Sequence, residues 1–420
     1  MGRPARRLDP RGAEEVLTAR RVAVTGLGIV SCLGNERRSV VAALRSGASG
    51  VGFCEEYRRA GMRSQVAGLP QLASEPPVER RLRRFMGEVS LYAYHAFRKA
   101  VEDARLTERQ LASPRTGLIV GTGVGSLARY VEALDALRAG GMKKLSPYVV
   151  PQTMASTAAA CLATAYRIGG VSYATSAACA SAAHAIGQGA ELIRSGRQDV
   201  VLAGGAEEAA WTSAVMFDAM HALSSGYNDR PQAASRPYDA ARDGFVMAGG
   251  AGMLVLEELE HARARGAHCH GEVCGYGASS GGDMVALSPA AAAAAMRAAL
   301  DDAGGEAVDY VNAHAISSIE GDRAELEALR EAFPAGAPLI SSTKGLSGHS
   351  LGASGAQEAI YCLLMMAEGF VAGCANLEQP DPGAAGLPLL AAAREQRIAR
   401  VMSNSFGFGG TNASLVFGLP

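Results

Sequence analysis

Apolar residues along this chain fall in short runs that break at glycine. Residues 21–28, RVAVTGLG, read as a strand running into a glycine turn, and the pattern returns at residues 271–277, GEVCGYG. Helical stretches follow both. Residues 96–105, AFRKAVEDAR, and 295–304, AMRAALDDAG, carry small, basic, aliphatic and acidic positions in similar order. A short apolar strand follows each, GLIVG at 117–121 and VDYV at 308–311. The shared order and nearly equal offsets predict an internal duplication. Strands alternating with helices predict parallel sheets covered by helices, an α/β fold in two packed halves. The boundary falls near residue 265, after the helix-like ELEHARARG. This divides the chain into a flexible basic extension at 1–20, an N-terminal half at 21–265 and a C-terminal half at 266–420.

Composition narrows the function. The 420 residues are 48% hydrophobic, enough for a large core, and the net charge of -1 lacks the basic excess of a nucleic-acid protein. Aromatics at 5% argue against base-stacking platforms. No apolar run approaches the ~18 residues of a membrane span. The eight cysteines, Cys32, Cys54, Cys161, Cys179, Cys269, Cys274, Cys362 and Cys374, show no paired framework. Reduced thiols in a cytoplasmic protein fit better than disulfides. The N-terminal segment lacks an apolar stretch of the secretory kind, and Arg6 stands where a myristoylation signal needs Ser or Thr.

Three motifs invite a ligand and fail on inspection. Gly26-Leu27-Gly28 starts like a dinucleotide loop, but Ser31 replaces the third glycine. Residues 121–125, GTGVG, lack the Gly-Lys-Ser/Thr of a phosphate loop and read as a tight strand-to-loop turn. His268-Cys269-His270, with Cys274 nearby, looks like a metal cluster. In a strand the two histidines take one face and Cys269 the other, so they surround no tetrahedral ion, and no metal is predicted.

Residues 175–187, TSAACASAAHAIG, are different. They hold one cysteine among small side chains, with no acid, Lys or Arg, as if a substrate must come close to the sulfur. Cys179 follows an apparent strand at 171–175 and precedes a helical pattern at 183–195. At such a strand-to-helix turn the macrodipole stabilises a thiolate. A buried structural cysteine is the plainer alternative. His184 lies five residues on, faces elsewhere and is not the base. His314 ends an apparent strand in VDYVNAHAISSIEGD, and His349 lies in ISSTKGLSGHSLGASGAQE, a small-residue loop entering a helix.

The segments TSAACASAAHAIG, VNAHAISSIEGD, SSTKGLSGHSLGASGAQEA and NSFGFGGTNASLVFG, in that order, resemble the β-ketoacyl-acyl carrier protein synthases, with the synthase I branch the nearest fit. The resemblance covers residues 21–420. It implies the thiolase-like fold, two duplicated halves in a five-layer αβαβα sandwich, in a homodimer or a heterodimer with a related ketosynthase. It implies that Cys179 takes an acyl group from a carrier protein, and that His314 and His349 are the two active-site histidines. Lys344 matches the active-site lysine and Glu358 the acid that supports it. Asp322 and Glu325 match acids on the helix after the first histidine. Phe408 matches a gating phenylalanine whose N–H joins that of Cys179 in an oxyanion hole. Hydrogen bonds to an enolate oxygen lower the barrier to decarboxylating a malonyl thioester. No metal or redox cofactor is implied, because phosphopantetheine arrives on the carrier protein.

The chain departs from the family where substrate binds. His314-Ala315-Ile316-Ser317-Ser318 replaces His-Gly-Thr-Ser-Thr, so Ser318 keeps a hydroxyl for the pantetheine arm and Ile316 does not. Val124 stands where synthase I has glycine, which narrows the acyl pocket. These changes suggest a dedicated fatty-acid or polyketide pathway. A specialised acyltransferase with an unusual substrate is the second reading, and a non-catalytic chain-length factor the third, which the presence of Cys179 disfavours. Arg80, Arg81, Arg83 and Arg84, with Lys143 and Lys144, form basic clusters that read either as a solvated face or as a docking patch for an acidic carrier protein.

Overall fold

The computed structural model describes residues 20–72 and 77–420. Ten strands make the large sheet. In the first half they are β1 (Val22–Val30), β2 (Thr116–Gly121), β3 (Ser172–Thr175), β4 (Val200–Glu207) and β5 (Gly250–Glu258). In the second they are β6 (Gly271–Ser280), β7 (Tyr310–Asn312), β8 (Leu339–Ser341), β9 (Arg400–Gly407) and β10 (Thr411–Gly418). Their spatial order is β8-β7-β9-β10-β6-β1-β5-β4-β2-β3. Each half therefore repeats one arrangement, and the two meet edge to edge through only Ala23↔Glu272 and Val24↔Gly271.

The halves are mixed sheets rather than the parallel ones the sequence pattern suggests. Strands β2, β3 and β4 run parallel, as do β7, β8 and β9. Strands β5 and β1, and likewise β10 and β6, turn antiparallel. The cause is visible at β9–β10, where Phe408, Gly409 and Gly410 make a hairpin too short for a parallel crossover.

Helices cover both faces. Outer helix α1 (Glu88–Ala104) packs on the first half, and α2 (Leu127–Gly140) follows β2. Helix α3 (Ser181–Arg194) touches strands of both halves. Helix α4 (Trp211–Ala219) follows β4. Outer helices α5 (Pro289–Asp302) and α6 (Ile319–Ala332) serve the second half, and α7 (Ser354–Glu368) lies beside α3 in the middle layer. Residues 354–366 of α7 are all buried, as a helix between two sheets requires. The five layers are thus outer helices, sheet, central helices, sheet and outer helices.

The duplication reaches single contacts. A Cβ on Gly28 would lie 1.9 Å from the Ala96 carbonyl oxygen of α1. One on Gly277 would lie 2.1 Å from the Ala295 oxygen of α5. Strand and helix backbones touch at both places, and that packing explains Gly26-Leu27-Gly28 without a nucleotide.

Residues 1–19 of the expected extension lie outside the described residues. Arg20, assigned to that extension, is instead anchored. Its guanidinium lies 2.6 Å from Asp199 and donates to the carbonyls of Ile193 and Gln198. His268 and His270 precede β6 rather than sharing a strand face. His270 Nε2 lies 2.7 Å from Asp103 Oδ2. Among the described residues, no group of three or more His, Cys, Asp or Glu is placed to hold a metal ion. No helix among them is long and apolar enough to cross a membrane. All eight cysteines are free thiols.

Candidate active site

Cys179 sits on the turn between β3 and α3. Ala178 is forced into the left-handed region at φ 46°, a sharp reversal that lifts the next residue off the sheet. Ser181 Oγ locks the turn, accepting the Ala177 N–H at 2.8 Å and donating to Ala178 O at 2.6 Å. The hairpin carrying Phe408 packs against this turn. A Cβ on Gly407 would come within 2.9 Å of Ala177 O, so only glycine lets the two backbones meet there. The backbone N–H groups of Cys179 and Phe408 both favour the anionic form of the sulfur. Phe408 is more than one-third exposed, with its ring 6.3 Å from Phe217 on α4.

A resting thiolate is not what these surroundings favour. Burial pushes the Cys179 thiol up to about 12; the Lys344 charge and the two N–H groups pull it down, and the Glu207 carboxylate pushes it further up. The apolar walls explain the dominance of burial over the helix terminus. Cys179, Val124, Phe217 and Ile316 pack against the core formed by Phe245, Met247, Leu223 and Leu351.

The two histidines face one another at the mouth of the second half. Their ring centroids are 5.3 Å apart in an edge-to-face arrangement. Phe245 flanks His349 and Phe406 flanks His314. His314 Nδ1 and both ring nitrogens of His349 are buried without a hydrogen-bond partner. Burial, then the charge on Lys344, holds both rings well below the usual imidazole range. They are neutral near pH 7, each able to donate one N–H. Lys344 is itself paired, its Nζ 2.5 Å from Glu358 Oε1. Burial pushes the Glu358 carboxyl up to about 7 against the pull of that ammonium.

Asp322 and Glu325 reach back from α6 to hold the loop after His314. Glu325 accepts the N–H groups of His314 at 2.8 Å and Ala315 at 2.6 Å. Asp322 accepts those of Ile316 at 3.0 Å and Ser318 at 3.2 Å. Both are fully buried, so they shape the loop rather than meet a ligand. Arg242 completes the frame from the outside, donating to the carbonyls of Ser318 and Ile319. His184 is occupied elsewhere, by Tyr276 at 2.6 Å and Thr411 at 2.9 Å.

Sequence reasoning missed Glu207, Arg242 and the Phe217–Phe245 wall. Glu207 ends β4 inside the protein and collects the N–H groups of the 121–125 loop, which explains that loop without a phosphate. The signal was the pair Glu207-Glu208 closing the apolar run VVLAGGAEE. The basic cluster is exposed but partly engaged. Arg81 pairs with Glu79 at 2.6 Å, and Arg84 donates to the Tyr148 hydroxyl at 2.9 Å. Arg80 and Lys143 are exposed.

Comparison with known proteins agrees with this geometry. Residues 19–262 match the family described as beta-ketoacyl synthase, N-terminal domain, and residues 270–378 match beta-ketoacyl synthase, C-terminal domain. The chain is 50% identical over 400 residues to 3-oxoacyl-[acyl-carrier-protein] synthase 1 of Escherichia coli, spanning 94% of this chain and 98% of that protein. It is 50% identical over 401 residues to the Haemophilus influenzae protein of the same name, spanning 95% and 98%. Among solved structures, a beta-ketoacyl synthase from Burkholderia phymatum superposes with a TM-score of 0.90 at 37% identity, over 96% of this chain and 100% of that one. A type II PKS acyl-carrier protein in complex with its ketosynthase gives 0.88 at 30% identity, with the same coverage.

Proposed function

The chain belongs to the β-ketoacyl synthase family, and from that premise we propose how its residues divide the reaction. It is a β-ketoacyl-acyl carrier protein synthase, an acyltransferase that condenses an acyl group with a malonyl unit. In the first step the Cys179 sulfur attacks the carbonyl carbon of an acyl thioester on the carrier's phosphopantetheine. The tetrahedral oxyanion is held by the N–H groups of Cys179 and Phe408. The carrier sulfur then leaves, and the thiol proton of Cys179 ends on it. The acyl chain lies in the apolar pocket bounded by Val124 and Phe217.

A malonyl carrier thioester enters next, its arm passing Ile316 and Ser318. Loss of carbon dioxide leaves an enolate, whose oxygen accepts hydrogen bonds from His314 and His349. The enolate carbon attacks the acyl carbon, and collapse expels the Cys179 thiolate, which takes one proton from solvent to regenerate the thiol. The observation that carries this reading is the pair of neutral, unpartnered imidazoles set edge to face beside the Cys179 pocket. A neutral ring keeps one N–H, which it can donate to the developing anion. Burial and the Lys344 charge keep it neutral, and Asp322 and Glu325 fix the loop that presents His314.

The boundary between halves is placed near residue 265. The acidic carrier docks on Arg80, Arg81, Arg84 and Lys143. The protein works in the cytoplasm as a homodimer. Helix α2 buries no residue of its own, exposing Tyr130, and β3 leaves a free sheet edge with Tyr173 exposed, both of which a second copy would cover. A specialised substrate is favoured by Ile316, which packs in the Cys179 cluster where the family presents a hydroxyl. The test is intact-mass measurement after incubation with acyl carrier thioesters. Wild type gains the acyl mass and Cys179→Ala does not; a gain that persists in Cys179→Ala removes the assignment.

A further inference from the structure

Glu207 is fully buried at the end of β4 and meets no route to substrate, yet its carboxylate is the most heavily contacted acid near the site. It accepts the Thr122 hydroxyl at 3.1 Å and the N–H groups of Gly123 at 2.6 Å, Val124 at 3.2 Å, Gly125 at 3.2 Å and Gly352 at 3.1 Å. Four of these donors belong to the loop that places Val124 in the acyl pocket. The fifth lies three residues after His349. The packing around it excludes side chains. A Cβ on Gly352 would fall 2.1 Å from the Gly123 nitrogen, and one on Gly121 would fall 2.5 Å from the Ser181 carbonyl carbon. The Cys179 turn, the Val124 loop and the segment after His349 therefore touch backbone to backbone, with one carboxylate joining two of them. The next residue holds the loop's far end, since Glu208 accepts the Ala128 N–H at the start of α2.

We propose that Glu207 is a positioning residue that fixes the Val124 wall of the acyl pocket against the Cys179 turn, and so sets which acyl lengths the enzyme accepts. This rests on the assignment of Cys179 as the acylated residue. What the carboxylate supplies is acceptors. Five donors converge on two carboxylate oxygens, and the Gly125 N–H has a second acceptor in the Thr122 hydroxyl at 3.0 Å. An amide in place of the carboxylate has one accepting oxygen, and its NH₂ group faces N–H groups. Buried donors left without a partner re-aim the loop rather than stay unpaired. Burial pushes the Glu207 carboxyl up to about 7, and the same N–H groups oppose that shift, as expected of a cradle built for the anion.

The test measures Cys179 acylation from short-chain and long-chain acyl carrier thioesters, alongside alkylation by iodoacetamide, which does not need the acyl pocket. In Glu207→Gln the ratio of long-chain to short-chain kcat/KM shifts by about tenfold, through KM, the scale of one unpaired buried group, while iodoacetamide reactivity holds or rises, because the carboxylate that pushes the Cys179 thiol up is gone. Thr122→Val, which spares the carboxylate but removes one of its donors and the hydroxyl that also accepts the Gly125 N–H at 3.0 Å, shifts the same ratio in the same direction by a smaller factor, and decides the matter if Glu207→Gln does not fold. An unchanged ratio in the folded variant, or an equal fall in every rate including alkylation, overturns the proposal. If wild type takes no acyl group on Cys179 from any carrier thioester, the underlying assignment fails instead.

Discussion

Lys344 Nζ lies 2.5 Å from Glu358 Oε1, with both side chains almost wholly buried. The pair puts a fixed cation beneath two imidazoles that burial already disfavours charging, so it biases them further toward the neutral form. In Lys344→Met that bias is gone, and the acid limb of the malonyl decarboxylation profile moves up in pH. It stops short of the free-histidine value, because burial remains. Glu358 loses its partner, at a cost of about 3–5 kcal/mol by urea unfolding. An acid limb that stays in place shows that Lys344 does not tune the rings.

The high Cys179 value has a direct readout. A thiol pushed up to about 12 is almost entirely protonated at neutrality, so its alkylation follows the thiolate fraction. The iodoacetamide rate at Cys179 is expected to climb about tenfold per pH unit through pH ~9 without levelling. A plateau below pH ~8 would reveal a thiolate at rest and restore the helix-terminus reading.

Stability carries the histidines' signature. Both rings have folded-state values below their unfolded ones, so below pH ~6.5 the unfolded chain binds more protons. Their contribution is complete above that pH and is lost as pH falls, by about 1.4 kcal/mol per unit for each ring. Glu207 and Asp322, raised to about 7 by burial, act in the opposite sense, their contribution shrinking as pH rises from the ordinary carboxyl range to about 7. Comparing wild type with His349→Ala separates the two effects. The variant should lose less stability between neutral and mildly acid pH, and equal slopes would rule out a depressed His349.

Ile316 sets a specificity test. A hydroxyl replaced by an ethyl group costs about 0.5–1.5 kcal/mol for a lost neutral hydrogen bond, and about 1–3 kcal/mol where the partner stays unpaired. Ile316→Thr is expected to raise kcat/KM with a generic malonyl carrier by roughly tenfold to a hundredfold, and to help the native reaction less or harm it. High wild-type activity with the generic carrier and no gain in the variant would make the substitution neutral.

If the carrier docks on the basic cluster, as proposed, docking acts mainly through on-rate and weakens with salt. Arg81→Glu should lower apparent carrier affinity at low ionic strength and flatten its salt dependence. Arg84→Glu should do the same and also release Tyr148. An affinity indifferent to salt and to both changes would return the cluster to a solvated face.

Much of the site was legible because chemistry here is carried by side chains inside small-residue segments. Cys179, His314, His349, Lys344 and Glu358 stand out in their runs of Gly, Ser and Ala, and the structure brings the two histidines together. What stayed hidden is what the backbone does. The cradle around Glu207 is made of N–H groups that every residue owns, so GTGVG read only as a turn. The thiol's environment was hidden too, because Phe217, Phe245 and Met247 come from segments distant in sequence. The duplication was readable from the recurring glycines and helices, whereas the antiparallel strands depended on the length of a hairpin and on a long return through residues 208–249.

The two halves of the sheet pair at a seam of two residue pairs, yet Cys179 belongs to one half and both histidines to the other. That seam is too slight to hold their registry. The central helices hold it instead, for a Cβ on Gly355 of α7 would fall 2.8 Å from the Ala183 nitrogen of α3. The segment that joins the halves, residues 265–270, is therefore a tether and not a ruler. Arg265 and His270 pin its two ends, to Glu257 and Asp103, but an insertion between them should leave the distance between sulfur and imidazole untouched, whereas one extra methyl between α3 and α7 would pry the two halves of the chemistry apart.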